Sequence, residues 1–561
     1  MHNRGFAFAL ASALADLGID HVCISPGSRN TPLIAGFAAE PRIKKWVILD
    51  ERSAGFFALG LARATGVPVA LACTSGTAAV EYHPAVVEAG LGDVPLLVLT
   101  ADRPEELRGR GAPQTIDQIS LYGTAVRMFA DALAPDEDTA AGAPTDIAID
   151  IWAHATAVPP GPVHLNLPFR EPLLARDEPV TATVTPLLPP ATEEPPDLAG
   201  IAGRLEGKRG VIVAGRSNDV DFATACSTLA AALGFPVFAD PLSGLRFGAH
   251  DLTNVLGYGD RLAAAGALDE LAPEVVLRFG PVPTSKPIWQ WLEDHPDVDQ
   301  ILIDTQSRDA TDSASTVLEI EPTIVAAALG AAVGRRSPVD WLEAWRSLDT
   351  RVAQRVDDQV TAAAFPNEPA VARAVAAAAP PHSAITLGSS MPIRDVDAFG
   401  GKSDRQLRVF GNRGANGIDG LVSTALGAAA AGLNSVVLLG DVALFHDLNA
   451  LGTACQLGLP ITIVVVNNNG GGIFHFLPQN DPAVLDPAVF ETFLATPHGT
   501  DFPDLATAFG IESHDVTEAS ELGSLIAIVP SAPRLIQVST DRTANVELHR
   551  RITRAVRELI R

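Results

Sequence analysis

Short β-rich runs alternate with Ala- and Leu-rich helical stretches along most of this chain, and that alternation restricts it to parallel sheets covered by helices on both faces. The runs His21–Ser25, Trp46–Leu49, Val69–Thr74, Pro95–Thr100 and Gly161–Asn166 read as strands of a first block. Gly210–Ala214, Pro236–Ala239, Val275–Phe279 and Gln300–Asp304 form a second, and Ala384–Leu387, Ser435–Leu439, Ile461–Asn467 and Arg534–Val538 a third. The 561 residues exceed what one core can organise, and a domain of roughly 100–200 residues is the usual unit. The expected fold class is therefore α/β, with three consecutive doubly wound parallel-sheet domains at residues 1–186, 198–335 and 339–561. Leu187–Asp197, two Pro pairs around an acidic cluster, reads as an interdomain linker, and Gly334–Pro338 as a turn ahead of a helical stretch. No short repeat is visible, which disfavours a solenoid.

Charge and composition narrow the partners. The formal charge is −26, whereas nucleic-acid binding needs a basic footprint, so any anionic ligand must find a locally positive pocket. Basic charge rests on Arg, with Lys only at Lys44, Lys45, Lys208, Lys286 and Lys402; a salty cytoplasm and a bias toward Arg and Ala codons explain this equally. Apolar runs such as Ile463–Val466 are short, and a membrane span needs about 20 apolar residues. The N-terminus resembles neither a signal nor a transit peptide. Cys23, Cys73, Cys226 and Cys455 form no CxxC pair, which points to a reducing, cytoplasmic setting without a disulfide framework.

The third block carries the most informative chemistry. Val436–Asp441 is an apolar strand ending in Gly440-Asp441, and the later run Ile463–Val466 leads into Asn467-Asn468-Asn469-Gly470-Gly471-Gly472. Ligands of open α/β sheets gather at the carboxyl ends of strands, where helix N-termini attract anions. Asp441 and the Asn468 amide oxygen are hard donors of the kind Mg²⁺ prefers, with room left for phosphate oxygens and water. The glycine run lets a backbone carbonyl approach, and Gly470 is the expected third ligand. Taken singly, the Gly-Asp pair reads as an ordinary helix N-cap and the Asn/Gly run as a turn. In this order and separation they resemble the thiamine-diphosphate motif that begins Gly-Asp-Gly and ends Asn-Asn, with Val442 in place of the motif's third residue.

Thiamine diphosphate loses a thiazolium proton to its own aminopyrimidine once a carboxyl group stabilises the imino tautomer, and that carboxyl needs a fixed, mostly dry site. Glu51 follows the strand of Trp46–Leu49 and opens a helix of small residues; alone, an acid there is a common N-terminal preference. A set of strings now accumulates: Ile24–Leu33 (ISPGSRNTPL), Asp50-Glu51-Arg52, Thr74–Ala78 (TSGTA), Thr100–Pro104 (TADRP), Phe410–Gly420 (FGNRGANGIDG), Gly440-Asp441 and Asn467–Gly472. Together they resemble the 2-succinyl-5-enolpyruvyl-6-hydroxy-3-cyclohexene-1-carboxylate synthases of menaquinone biosynthesis, over nearly the whole chain and most weakly in the middle domain.

What this resemblance implies is decarboxylation of 2-oxoglutarate and 1,4-addition of the thiamine-bound succinyl-semialdehyde unit to isochorismate. The implied cofactors are thiamine diphosphate and Mg²⁺, with Mn²⁺ as a substitute. Glu51 is the implied pyrimidine partner; Asp441, Asn468 and the Gly470 carbonyl hold the metal beside Gly440. Ser389 and Ser390 are placed to help bind cofactor, Ile418 to bend it, and Ile473, Phe474 and Leu477 to wall the reacting centre. Ser28, Arg29, Arg103, Gln114, Lys286, Ser390, Arg394 and Arg413 face the carboxylates of the substrates, with Gln114, Arg394 and Arg413 counted among the catalytic groups beside Glu51. Arginine suits dicarboxylates through bidentate pairing. His83 and His446 are read as packing or surface residues. With Glu51 and the metal ligands in separate domains, the resemblance implies a homodimer or a dimer of dimers, each site lying at the subunit interface. The rival readings are an acetolactate-synthase-like acyl transferase and a non-catalytic metabolite-binding protein on the same fold; a Rossmann oxidoreductase is weaker, because Gly411, Gly414 and Gly417 are not spaced as GxGxxG.

Overall fold

The computed structural model describes residues 1–174, 197–334 and 336–560. The proposed linker therefore lies outside the described residues except for Asp197, as does Arg335 of the Gly334–Pro338 turn.

Among the described residues each block forms one sheet of six strands, and every strand pairing is parallel. The first comprises β1 (His21–Ile24), β2 (Lys44–Val47), β3 (Val69–Cys73), β4 (Leu96–Asp102), β5 (Met128–Asp131) and β6 (Pro162–Pro168), in the order β2-β1-β3-β4-β6-β5. The second comprises β7 (Gly210–Ala214), β8 (Val237–Ala239), β9 (Val255–Leu256), β10 (Val275–Phe279), β11 (Asp299–Asp304) and β12 (Thr316–Glu319), in the order β12-β11-β10-β7-β8-β9. The third comprises β13 (Ser383–Leu387), β14 (Arg408–Phe410), β15 (Asn434–Gly440), β16 (Ile461–Asn467), β17 (Glu512–Asp515) and β18 (Arg534–Ser539), in the order β14-β13-β15-β16-β18-β17. Strands such as β3 and β4 are buried at every position, which is why they read as continuous apolar runs instead of alternating ones.

The expected strand at Trp46–Leu49 is displaced to Lys44–Val47. Ile48 still donates its N–H to Ile24, but the chain then turns to start the helix Glu51–Thr65. Asp50 caps that helix by accepting the Ser53 N–H at 2.9 Å, and Gly66 ends it in the left-handed region at φ 73°.

Among the described residues two compact units separate. The first contains those within Met1–Ala191, Asn412–Leu433 and His446–Leu459; the second contains those within Thr192–Gly411, Asn434–Phe445 and Pro460–Arg561. In the first unit the helix Leu421–Ala430 packs against Glu51–Thr65 with backbones nearly touching. A Cβ on Gly60 would stand 1.9 Å from the Thr424 carbonyl oxygen, and one on Gly427 would stand 2.1 Å from that of Phe57. Only glycine permits that approach. The apolar cores lie between sheets and helices, for example Leu10, Phe37, Leu97 and Leu165 beneath the first sheet and Val371, Leu438, Val464 and Ile536 beneath the third. No described helix is long and apolar enough to cross a membrane.

Candidate active site

Strand order locates the crevices. In the first sheet the order reverses between β1 and β3, and in the third between β13 and β15; ligands of doubly wound sheets bind outside the carboxyl ends of strands at such points.

At the third-sheet switch point, β13 runs into Ser389-Ser390 and β15 into Asp441. The register pairs Gly440 with Val466, which sets Asp441 beside the Asn467-Asn468 turn at the end of β16. The Asp441 carboxylate is 2% exposed. Its Oδ1 accepts the Val442 N–H at 2.7 Å, and Oδ2 accepts the Gly470 N–H at 2.8 Å and Nε2 of His498 at 3.0 Å. Because Nδ1 of His498 accepts the Thr500 N–H at 3.0 Å, the ring's proton sits on Nε2 and is donated to Asp441. Asn468 points Nδ2 at Oε1 of Glu368, 2.9 Å away, while its Oδ1 is buried with no partner. Such an orphaned acceptor beside a buried carboxylate is what a hard cation satisfies. Gly470 has φ 134°, and a Cβ there would stand 1.9 Å from the Ala495 carbonyl oxygen, so only glycine carries the chain through. Among the described residues no group of three or more His, Cys, Asp or Glu forms a metal cage; a cation here draws on one carboxylate plus amide and backbone oxygens, the oxygen-rich set expected for Mg²⁺. The residues present fit a magnesium diphosphate.

Other expected residues flank this site. Ser390 takes φ 73°, a left-handed conformation uncommon for serine, at the start of the helix Met391–Phe399, and strain of this kind concentrates at ligand sites. Arg394, one turn along, donates to the Ser390 carbonyl oxygen, and burial pulls its pKa down. Ile473 and Phe474 follow the glycine run in a short 3₁₀ turn and are half-buried, while Leu477 is exposed. Lys286 is exposed at the first turn of Lys286–Asp294, after β10. Burial pushes the Glu368 carboxyl up to about 7, with the Asp395 charge adding to the rise.

In the first unit, three of the expected residues, Arg29, Arg103 and Gln114, converge on the loop after β3. Ser75 Oγ donates to the Gln114 carbonyl oxygen at 3.1 Å, Gln114 Nε2 donates to the Ser75 carbonyl oxygen at 2.9 Å, and Arg103 hydrogen-bonds Ser75 Oγ. The Arg29 N–H donates to Thr74 Oγ1 at 3.3 Å, and its guanidinium reaches the Phe169 carbonyl and Glu171. Burial and then the neighbouring Arg29 charge hold the Arg103 pKa down, the mark of two cations crowded into one place. Ser28, next to Arg29, is exposed. Glu51 is half-buried at its helix N-terminus; burial raises its pKa, and Asp50 and Glu81 raise it further against an opposing backbone hydrogen bond. His83 stacks edge-on against Tyr122 and His446 is exposed.

Arg413 and Ile418 sit in the loop Asn412–Gly420, which residues absent from the sequence-based expectation hold in place. Glu88 accepts the Gly414 and Ala415 N–H groups at 2.9 and 2.7 Å and pairs with Arg63 at 2.8 Å, while Arg63 also donates to Asn412 Oδ1 at 2.8 Å. Asp447, buried and accepting both the N–H and the hydroxyl of Ser423, anchors the start of Leu421–Ala430, and burial pushes its carboxyl up to about 7. No local pattern marks Glu88, Glu368, Asp447 or His498; Ser75 was visible only as part of the TSGTA string.

Three parallel sheets with a cation-ready turn at the third define the class: this is a thiamine-diphosphate enzyme. Family models described as the N-terminal TPP binding domain, the middle domain and the C-terminal TPP binding domain of thiamine pyrophosphate enzymes match residues 4–121, 201–386 and 402–538. Relatives named 2-succinyl-5-enolpyruvyl-6-hydroxy-3-cyclohexene-1-carboxylate synthase are similar over almost their whole length: 43% identity to that of Chloroflexus aurantiacus (97% of this chain, 94% of the relative) and 41% to that of Bacillus velezensis (97% and 96%). That of Halobacterium salinarum is 42% identical, again over 97% and 96%. The chain belongs to the 2-succinyl-5-enolpyruvyl-6-hydroxy-3-cyclohexene-1-carboxylate synthase family.

Proposed function

We propose that the chain decarboxylates 2-oxoglutarate and adds the remaining four-carbon acyl unit in 1,4 fashion to isochorismate, giving CO2 and the product for which its relatives are named. The observation that carries this reading is the gathering of Arg103 and Gln114 on Ser75 with Arg29 alongside, two guanidinium groups close together in a protein of charge −26. Both substrates carry two carboxylates, and fixed guanidinium groups bind carboxylates bidentately.

Bound thiamine diphosphate supplies the electron sink that a 2-oxo acid needs to lose CO2. The chain's own residues do the rest. Glu51 shares a proton at its carboxyl oxygen with the cofactor's aminopyrimidine. Asp441, Asn468 and the Gly470 carbonyl hold Mg²⁺ next to Gly440, and Ser389 and Ser390 bind the cofactor. Ile418 would act as the apolar wedge against the cofactor, and Ile473, Phe474 and Leu477 supply an apolar wall that excludes water. Ser28, Arg29, Arg103, Gln114, Lys286, Ser390, Arg394 and Arg413 orient the carboxylates, with Gln114, Arg394 and Arg413 nearest the reacting atoms. We assign domain limits of 1–186, 198–335 and 339–561, a homodimer or dimer of dimers with sites shared between protomers, and a cytoplasmic location in keeping with four cysteines that form no disulfide.

The test is to supply 2-oxoglutarate, isochorismate, thiamine diphosphate and Mg²⁺, follow isochorismate loss and identify the product. Consumption of pyruvate alone, with isochorismate untouched, refutes the assignment. A monomer fully active at high dilution refutes the shared site.

A further inference from the structure

A carboxamide has two ends of nearly the same shape and opposite chemistry: the oxygen binds a cation and the NH₂ repels one. A metal-binding Asn therefore needs something that selects which end faces the ion. Asn468 is packed so closely that a Cβ on Gly472 would stand 2.5 Å from its Nδ2. Nδ2 meets Oε1 of Glu368 at 2.9 Å, and the same oxygen accepts from Thr540 Oγ1 at 3.1 Å. Oδ1 is left buried and unpartnered. Glu368 is itself held: it is the first residue of the helix Glu368–Ala378, whose N-cap Asn367 accepts the Ala370 N–H at 2.9 Å.

We infer that Glu368 is a positioning residue for the cation site: its Oε1 takes the NH₂ end of Asn468 and so presents Oδ1 to Mg²⁺. This rests on the reading of Asn468 as a metal ligand. A glutamine at 368 offers an oxygen and an NH₂ of its own, so it accepts either end of the Asn468 amide and removes the selection while keeping the shape. Supporting groups of this kind change metal affinity by about 10–100-fold when removed.

The experiment is calorimetric titration of Mg²⁺ into the full chain with saturating thiamine diphosphate, on the parent, Glu368→Gln, Asn468→Asp, the double variant and Asn468→Ala. Glu368→Gln is expected to weaken Mg²⁺ by about 10-fold in the parent background. In the Asn468→Asp background it costs nothing or improves binding, because a carboxylate has the same atom at both ends and gains from losing a facing Glu. A purely structural role for Glu368 weakens both backgrounds alike, and that result overturns the inference, as does parent-like affinity in Glu368→Gln. Asn468→Ala separates the two levels. Parent-like Mg²⁺ affinity there removes the ligand assignment and the inference with it, whereas lost affinity there with an unaffected Glu368→Gln removes the inference alone.

Discussion

Replacing Glu88 by Leu should destabilise the first compact unit by about 4 kcal/mol. The side chains of Arg63 and Glu88 are 4% and 3% exposed and lie 2.8 Å apart, and removing one partner of a buried ion pair costs about 3–5 kcal/mol because the other charge stays buried. The variant also strands the Gly414 and Ala415 N–H groups, which Glu88 accepts at 2.9 and 2.7 Å, at about 1–3 kcal/mol for each group that finds no other partner. Some relaxation of the 412–416 loop offsets part of that sum. In urea unfolding a loss of this size lowers the midpoint by roughly 1 M. Arg63→Met alone should cost a similar amount, since it leaves Glu88 charged and buried, while Arg63→Met/Glu88→Leu should cost much less than the two singles added, because no lone charge remains. The same loop carries Arg413, so the Glu88 variant should also raise KM for 2-oxoglutarate. A change in stability below about 1 kcal/mol for Glu88→Leu, or strict additivity in the double variant, refutes the reasoning.

Glu51→Gln should leave thiamine-diphosphate affinity within about threefold, by calorimetry, and lower kcat by about 100-fold or more, the range for a lost acid–base group; near-normal turnover removes Glu51 from the mechanism. Gly470→Ala sets a Cβ 1.9 Å from the Ala495 carbonyl oxygen at φ 134°, so Mg²⁺ and cofactor retention should fall together by about tenfold or more, and parent-like retention in a folded variant sinks that assignment. Asp447, pushed up to about 7 by burial, keeps its proton in the folded chain, while the unfolded chain sheds it above about pH 4. The folded state binds more protons in that window, so this group's contribution to stability falls as pH rises from about 4 to 7 and is level above it. The parent's stability relative to Asp447→Asn should therefore be greater at pH 5 than at pH 8, and a pH-independent difference contradicts this account.

Thirteen of the eighteen strands among the described residues were legible as apolar runs, and the five that were not share one property. Met128–Asp131, Val255–Leu256, Thr316–Glu319, Arg408–Phe410 and Glu512–Asp515 all lie at sheet edges. An interior strand of a parallel sheet is covered on both faces and has a strand on each side, so its sequence must be apolar. An edge strand has one free side, and β5, β12, β14 and β17 carry half-buried or exposed positions throughout; β9, though buried, is only two residues long. The Lys44–Val47 strand, also at an edge, was displaced by two residues for the same reason, its burial being confined to Trp46.

By itself the sequence determined the chemistry available at the strand ends: Glu51 after β2, Thr74-Ser75-Gly76 after β3, Asp102-Arg103 closing β4 and just beyond it, Gly440-Asp441 closing β15 and following it, and Asn467-Asn468 at the end of β16. Residue type and short spacing suffice there, because a strand leading into a helix sets its own local geometry. Which groups support them was decided only by tertiary structure. Glu88 meets Gly414 across 326 residues, Glu368 meets Asn468 across 100, and His498 meets Asp441 across 57. Each of these contacts depends on which distant elements the fold sets side by side, and a buried polar group is satisfied by whatever the fold delivers to it, however far away along the chain.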